Sequence, residues 1–155
     1  MEKIDSFAVD HNKLERGIYL NRQDILAKNA TIDTWDIRLK VPNNRKGGGY
    51  LSVKAAHTIE HIGATYLRNR YRDKIIYFGP MGCLTGFYLL THSMREQDIE
   101  QAVRAMFQAV VDWSSPIPGA LSKECGNYAM HSLQGAKMQA RKFLAANPVV
   151  DKYKE

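Results

Sequence analysis

The clearest indication of the architecture is the segment Thr34-Trp35-Asp36-Ile37-Arg38-Leu39-Lys40-Val41, in which apolar side chains alternate with polar ones. This period of two predicts a strand with one buried face over 34–41. Residues 42–49, which end in three glycines, form a loop that is too short to separate two domains. After this loop the pattern predicts a helix over 50–70.

The rest of the chain predicts strands and helices without a regular βαβ rhythm. Strands are predicted over 75–78 and 83–91, and helices over 96–113 and 128–146. No glycine-rich phosphate loop follows a strand, because the glycines at 47–49 come after a proline and two asparagines. We therefore expect a single domain over residues 1–155 with an α+β fold, in which helices and a mainly antiparallel sheet form two layers.

The composition is that of an ordinary soluble protein. The 155 residues include 22 Lys and Arg, 16 Asp and Glu, and 2 Cys, for a formal net charge of +6. These values exclude collagen-like, disulfide-scaffold and disordered chains. The first ten residues are charged and lack the apolar core of a signal peptide, and no apolar run approaches membrane-spanning length. We therefore expect a cytoplasmic protein with reduced thiols.

The pentapeptide His57-Thr58-Ile59-Glu60-His61 in the first predicted helix has the H-x-x-E-H order of some metal sites. At about 100° per residue, the two histidines lie roughly 40° apart on one face and one turn apart, so both imidazoles can reach one ion. Glu60 lies beside them, where it can act on a group bound to the metal. Apolar residues flank both sides of the helix, which predicts that both sides are covered.

Two histidines leave a tetrahedral site half filled, so a third ligand must come from elsewhere in the chain. The candidates are Cys83, Cys125, His11, His92 and His131. Cys83 follows a Gly-Pro-Met-Gly turn, and Cys125 precedes the last predicted helix, whose positive end favours a thiolate. The spacing alone leaves open which cysteine binds the metal.

Five motifs, in their order along the chain, resemble the S-ribosylhomocysteine lyases, the LuxS family of autoinducer-2 synthases. They are Ser6-Phe7-Ala8-Val9-Asp10-His11, Asp36-Ile37-Arg38, His57-Thr58-Ile59-Glu60-His61, Pro80-Met81-Gly82-Cys83-Leu84-Thr85-Gly86-Phe87-Tyr88 and Glu124-Cys125-Gly126. The H-x-x-E-H motif alone is a weak signal. Combined with Pro-Met-Gly-Cys and a distal Cys-Gly, it is highly specific, and the resemblance covers nearly the whole chain.

The resemblance implies a homodimer with its sites at the interface and one ferrous ion per chain, which zinc or cobalt can replace. The reaction implied is cleavage of S-ribosylhomocysteine to homocysteine and 4,5-dihydroxy-2,3-pentanedione, the autoinducer-2 precursor, by carbonyl migration and β-elimination. By motif, the metal ligands would be His57, His61 and Cys125. Glu60 and Cys83 would be the acid/base pair. The resemblance further implies a place for this chemistry in quorum sensing and in recycling of the methyl-donor pathway.

The resemblance also implies contacts to the substrate, made by Ser6, His11, Arg38 and Arg68. Ser6 and His11 would reach the substrate across the dimer interface. Arg38 would support Cys83 and the sugar, whereas Arg68 would bind the homocysteine end. The chain departs from the family at Tyr77, where many members carry an acidic residue that contacts the substrate amino group.

Two other functions are consistent with parts of the sequence. A metallopeptidase would use Glu60 to activate water and would take its third ligand from Glu96, Glu100 or Glu124, but it leaves both cysteines unexplained. A nucleic-acid-binding module would use the basic run 68–74, although cations there equally complement the negative end of a helix. We expect neither nucleic acid nor membrane as a partner, and we interpret His92 and His131 as structural or surface residues.

Overall fold

The computed structural model describes residues 4–28, 30–151 and 153. Within these residues the chain forms four α-helices, which are α1 (Asp5–Ala8), α2 (Val53–Arg70), α3 (Glu96–Asp112) and α4 (Leu133–Ala145). It also forms five strands, which are β1 (Gly17–Ala27), β2 (Ala30–Arg38), β3 (Ile75–Pro80), β4 (Gly86–His92) and β5 (Val150–Asp151). A short 3-10 turn covers Pro42–Asn44. None of the described helices is both long enough and apolar enough to cross a bilayer.

The strands form one mixed sheet in the order β3-β4-β2-β1-β5. β1 pairs with β2, β2 with β4 and β4 with β3, all antiparallel, whereas the two-residue β5 runs parallel to β1. The prediction of an α+β fold is therefore confirmed, with a sheet that becomes mixed at one edge.

The two faces of the sheet have different roles. Trp35 and Ile37 of β2 lie in the buried core together with residues of α2, α3 and α4. Because side chains alternate across a strand, Asp36 and Arg38 point to the opposite face. We call the first the helix face and the second the outer face. Asp36 and Arg38 are nevertheless also buried, so the outer face is covered as well.

Strand β1 was missed by the sequence analysis. Its first three residues are all buried and its last three are all exposed, so burial does not alternate along it. A bulge between Leu20 and Arg22 also shifts the register against β2. No period of two can be read from such a strand, because its ends lie in different environments.

Helix α2 begins at Val53 rather than at residue 50, because Ser52 is its N-cap. The Ser52 side chain accepts a hydrogen bond from the amide of Ala55, which satisfies one free donor of the first turn. Ala55, Ile59 and Ile62 are buried, so one of the two apolar sides of the helix is covered as predicted.

Two predicted boundaries were wrong in ways that affect the site. The β2 strand ends at Arg38, since the amides of Leu39 and Lys40 both donate to the Thr85 carbonyl instead of continuing the ladder. The last helix begins at Leu133, where Ser132 caps it by accepting from the Gly135 amide. Cys125 is therefore eight positions away from the first residue of α4, and a helix dipole does not act on its sulfur.

The close approach of α2 to β3 and α3 generates a prediction at Gly63. A Cβ at this position would meet Phe78 Cε1 at 2.6 Å and Met106 Sδ at 3.0 Å. Gly63→Ala gains about 1 kcal/mol of helix propensity, but overpacking costs about 1–3 kcal/mol. We expect a lower melting temperature by calorimetry. Gln101→Ala on the exposed side of α3 is the control, and a Gly63→Ala protein that melts above the wild type would contradict this packing.

Candidate metal centre

Four side chains that can bind a metal converge beside α2. They are His57, His61, Cys125 and His131, and their ligand atoms all lie within 4.8 Å of one another. Cys125 Sγ is 3.4 Å from His57 Nε2. The structure thus brings together the three residues that the resemblance assigns as ligands, and it places His131 beside them.

Loop 113–132, between α3 and α4, places these groups against α2. His57 Nδ1 lies 2.9 Å from the Met130 carbonyl oxygen, and His61 Nδ1 lies 2.7 Å from that of Pro118. Gly119 follows with a φ of +67°, and a Cβ there would lie 3.2 Å from His61 Nδ1. A residue without a side chain is therefore needed where the loop turns over His61.

These two hydrogen bonds fix the tautomers of both histidines. A carbonyl oxygen can only accept, so Nδ1 of His57 and of His61 must carry the proton and donate. Each Nε2 then has a free lone pair, which is the form of imidazole that binds metals. A metal-binding histidine usually donates a hydrogen bond of this kind from its other ring nitrogen.

His131 was interpreted from the sequence as structural or surface, and the structure corrects this. Its ring stacks on His57, with centroids 4.2 Å apart, and meets His61 edge-on at 4.8 Å. Burial lowers the pKa of His131, and the nearby His57 and His61 add to the shift. The available sequence signal was its place in the Cys125 loop, immediately before the Ser132 cap of α4.

The donor set fits a divalent transition metal. The cluster offers imidazole nitrogens and a thiol within 4.8 Å, and such mixed nitrogen and sulfur sets bind iron, cobalt and zinc. Within the described residues this cluster includes no carboxylate. The acidic third ligand expected of the metallopeptidase is thus not among the convergent groups.

A groove of about 310 Å³ adjoins the cluster. It is lined by Glu60, His61, Ala64, Thr65 and Arg68 of α2, Tyr77 and Phe78 of β3, and Pro118 and Gly119 of the loop. The α2 residues recur every three or four positions, so they form a single face of the helix. Glu60 and Arg68 are separated by two turns, which is about 12 Å at 1.5 Å per residue.

A second polar group lies on the outer face of the sheet. Arg38 donates through Nη2 to Asp36 and through Nη1 to Thr85 Oγ1. The Cys83 sulfur is 3.0 Å from Thr85 Oγ1 and 4.0 Å from Arg38 Nη1. The association of Arg38 with Cys83 that the resemblance implies is thus present, although Cys83 itself is exposed.

The N-terminal candidates join this outer-face group. Ser6 lies beside the Tyr88 phenol, and His11 is close enough to Asp36 to influence its charge. Burial raises the pKa of the Asp36 carboxyl, and the nearby Arg38 cation offsets only part of this shift. Tyr153 also donates to Asp36, at 3.2 Å.

The sequence-predicted residues therefore fall into two groups in one chain. The metal cluster, Glu60 and Arg68 are carried by the helix layer, whereas Ser6, His11, Arg38 and Cys83 belong to the outer face. In the part of the chain that the structure describes, no hydrogen bond or ion pair joins Cys83 to Glu60 or to the cluster.

Comparisons with known proteins identify the same family as the five motifs do, over nearly the whole chain. The family model for S-ribosylhomocysteinase (LuxS) matches residues 4–154. The S-ribosylhomocysteine lyase of Borreliella burgdorferi (strain ZS7) is 49% identical over 147 residues, covering 93% of this chain and 91% of the relative. That of Desulfotalea psychrophila is 50% identical over 146 residues, covering 92% and 89%. That of Phocaeicola vulgatus is 46% identical, covering 93% and 89%.

The two cysteines provide a matched test of the cluster. Cys125→Ser removes the sulfur beside His57, whereas Cys83→Ser alters only the outer face. Loss of a group that only hydrogen-bonds to a metal ligand already costs about 10–100-fold in metal affinity, so loss of the thiol should cost at least as much. Metal content after anaerobic purification, measured by plasma mass spectrometry, should fall for Cys125→Ser and stay at one ion per chain for Cys83→Ser. The reverse result would mean that the roles of the cysteines are exchanged.

Proposed function

The chain belongs to the S-ribosylhomocysteinase (LuxS) family, and we propose on that basis that it cleaves S-ribosylhomocysteine at a metal held by His57, His61 and Cys125. It is accordingly a carbon–sulfur lyase. The observation that supports this ligand set is the convergence of the three side chains, with both imidazoles already in the metal-binding tautomer.

The reaction requires proton transfers and no external oxidant. The ribose carbonyl moves along the sugar through two proton shifts until the C–S bond is β to it. Removal of the proton from the carbon between the carbonyl and the C–S carbon then expels homocysteine thiolate. Homocysteine and 4,5-dihydroxy-2,3-pentanedione together contain all the atoms of the substrate. When bound, a divalent metal supplies Lewis acidity that stabilises negative charge on the sugar oxygens.

Glu60 is the proposed base on the metal side of the substrate. It lines the groove next to His61, so its carboxylate can take a proton from one ribose carbon and return it to the neighbouring carbon. Its place one residue before His61 keeps it beside the ligands without making it one of them.

The groove accommodates the length of the substrate. With the sugar beside Glu60 and His61, an extended homocysteine chain would run along α2 toward Arg68, about 12 Å away. The Arg68 guanidinium is exposed at this end and can pair with the carboxylate. Tyr77 lines the same groove. It places a phenol at the position where many members of the family carry an acidic residue.

Cys83 is the proposed partner of Glu60, and two copies of the chain are needed to bring them together. Arg38, Cys83, Ser6 and His11 form one group on the outer face. If Ser6 and His11 reach the substrate from a second copy, Arg38 and Cys83 of that copy come with them. We therefore propose a homodimer in which each site combines the metal cluster of one chain with the outer-face group of the other.

The native ion in this proposal is ferrous iron, with zinc or cobalt as replacements. Both cysteines are free thiols in the structure, and thiols together with a ferrous centre require a reducing compartment. The proposal therefore places the enzyme in the cytoplasm.

The role of Glu60 is tested by thiol release. We expect anaerobically purified wild-type protein to release homocysteine from S-ribosylhomocysteine, and Glu60→Gln to lose at least about 100-fold in rate because a general base is removed. Glu96→Gln, at the exposed start of α3, is the control. Release should be followed with a thiol reagent at equal metal content. A wild-type protein that holds one metal per chain and releases no thiol would exclude the lyase.

The shared site is tested by mixing two inactive variants. Glu60→Gln and Cys83→Ala each leave one half of every site intact. If the halves come from different chains, exchanged mixtures contain dimers with one complete site, and about one quarter of wild-type activity returns. If both groups act within the same chain, the mixture stays as inactive as its components.

A further inference from the structure

Thr58 fixes the protonation of His131. Its Oγ1 lies 2.8 Å from the Lys54 carbonyl oxygen, accepts from the Ser132 amide at 2.9 Å and lies 3.2 Å from His131 Nδ1. Two oxygens that are 2.8 Å apart need a proton between them, so the single hydroxyl hydrogen points to Lys54. His131 Nδ1 must then be the donor to Thr58, and the neutral ring carries its proton there.

The other ring nitrogen of His131 is consequently an acceptor without a donor. Among the described residues, Nε2 is buried and has no hydrogen-bond partner. A buried polar atom left unsatisfied is costly and usually has a partner in the functional state. The His131 ring packs against those of His57 and His61, with centroids 4.2 and 4.8 Å apart, so this nitrogen belongs to a ring in direct contact with the metal cluster.

The orientation of the rings separates His131 from the two histidine ligands. His57 and His61 are nearly perpendicular, at 88°, so their in-plane lone pairs can meet at one point. His131 instead lies at 14° to His57, with centroids 4.2 Å apart. Because the rings of His131 and His57 are nearly parallel, their in-plane lone pairs run side by side and do not converge. His131 would therefore be poorly placed to share an ion with His57.

We propose that His131 Nε2 accepts a hydrogen bond from a hydroxyl group of the sugar bound at the centre, and that Thr58 holds the tautomer that permits this. The inference rests on the proposed function, because it takes a polyhydroxylated sugar as the ligand. A ribose chain presents hydroxyl donors, and His131 offers one of them a fixed, neutral acceptor. His131 is then a substrate-binding residue, and Thr58 is its positioning residue.

The tautomer can be measured without substrate. In zinc-loaded, ¹⁵N-histidine-labelled protein, NMR should show His131 protonated at Nδ1 with an Nε2 that is neither protonated nor bound to metal. His57 and His61 should be protonated at Nδ1 and bound through Nε2. An Nε2–H tautomer at His131, or a metal bond to that nitrogen, would overturn the proposal.

Substrate binding tests the hydrogen bond itself. In cobalt-loaded Glu60→Gln protein, S-ribosylhomocysteine binding should be followed by the change in visible absorption. Adding His131→Ala should raise Kd about tenfold, while metal content and the absorption of the substrate-free protein stay unchanged. Thr58→Val should raise Kd in the same direction, and Thr58→Ser should restore it. His92→Ala, on the last residue of β4, is the histidine control.

The outcomes separate this inference from the function on which it rests. If the Glu60→Gln protein binds S-ribosylhomocysteine but His131→Ala leaves Kd unchanged, the His131 proposal is wrong and the lyase stands. If His131→Ala loses the metal, His131 is a ligand and the proposal is equally wrong. If the protein with an intact His131 does not bind the substrate at all, the proposed function fails, and this inference fails with it.

Discussion

Two hydrogen bonds between α2 and loop 113–132 hold the metal centre together. Without the Met130 and Pro118 carbonyls, His57 and His61 could take either tautomer, and the loop would lose two of its contacts with the helix. With them, the same contacts that position the loop also leave both Nε2 lone pairs free, and the Cys125 sulfur lies 3.4 Å from His57 Nε2. Folding of the loop and assembly of the ligand set are thus one event, which is how metal binding becomes coupled to stability.

The outer face of the sheet imposes the second constraint. The ion pair of Arg38 and Asp36 is almost fully buried, and such a pair adds little stability but is costly to break. Its position so close to Cys83 is explained if Arg38 orients the thiol for chemistry. Since the sheet lies between this group and the helix layer, the two groups of proposed site residues face in different directions. The homodimer that we propose would reconcile this separation with a single reaction.

The sequence predicted the parts of the site that are local. The spacing of His57, Glu60 and His61 follows from the helical repeat, and the alternation in 34–41 correctly put Arg38 on the face away from the core. The choice between the cysteines needed the resemblance, because the path of loop 113–132 is set by long-range contacts. His131 was named as one candidate ligand but interpreted as structural or surface for the same reason, since its partners His61, Thr58 and His57 are 70 to 74 positions away along the chain.

The resemblance also assigned roles to residues for which periodicity gave no signal, but it did not predict the contacts that these residues make. Thr58 lies inside the H-x-x-E-H motif, and its hydroxyl contacts His131 as well as its own helix. The early start assumed for α4 led to a helix-dipole explanation for Cys125. The donor found instead is the Asn127 amide, 3.4 Å from the sulfur. Such errors arise where a turn, and not a regular element, determines a position.

X-ray absorption at the metal edge of the anaerobically purified protein tests the central claim most directly. The account predicts one sulfur at about 2.3 Å and two imidazole nitrogens at about 2.0–2.1 Å for the zinc form, and a changed light-atom shell after S-ribosylhomocysteine is added. A first shell without sulfur, or one that does not respond to the substrate, would contradict it.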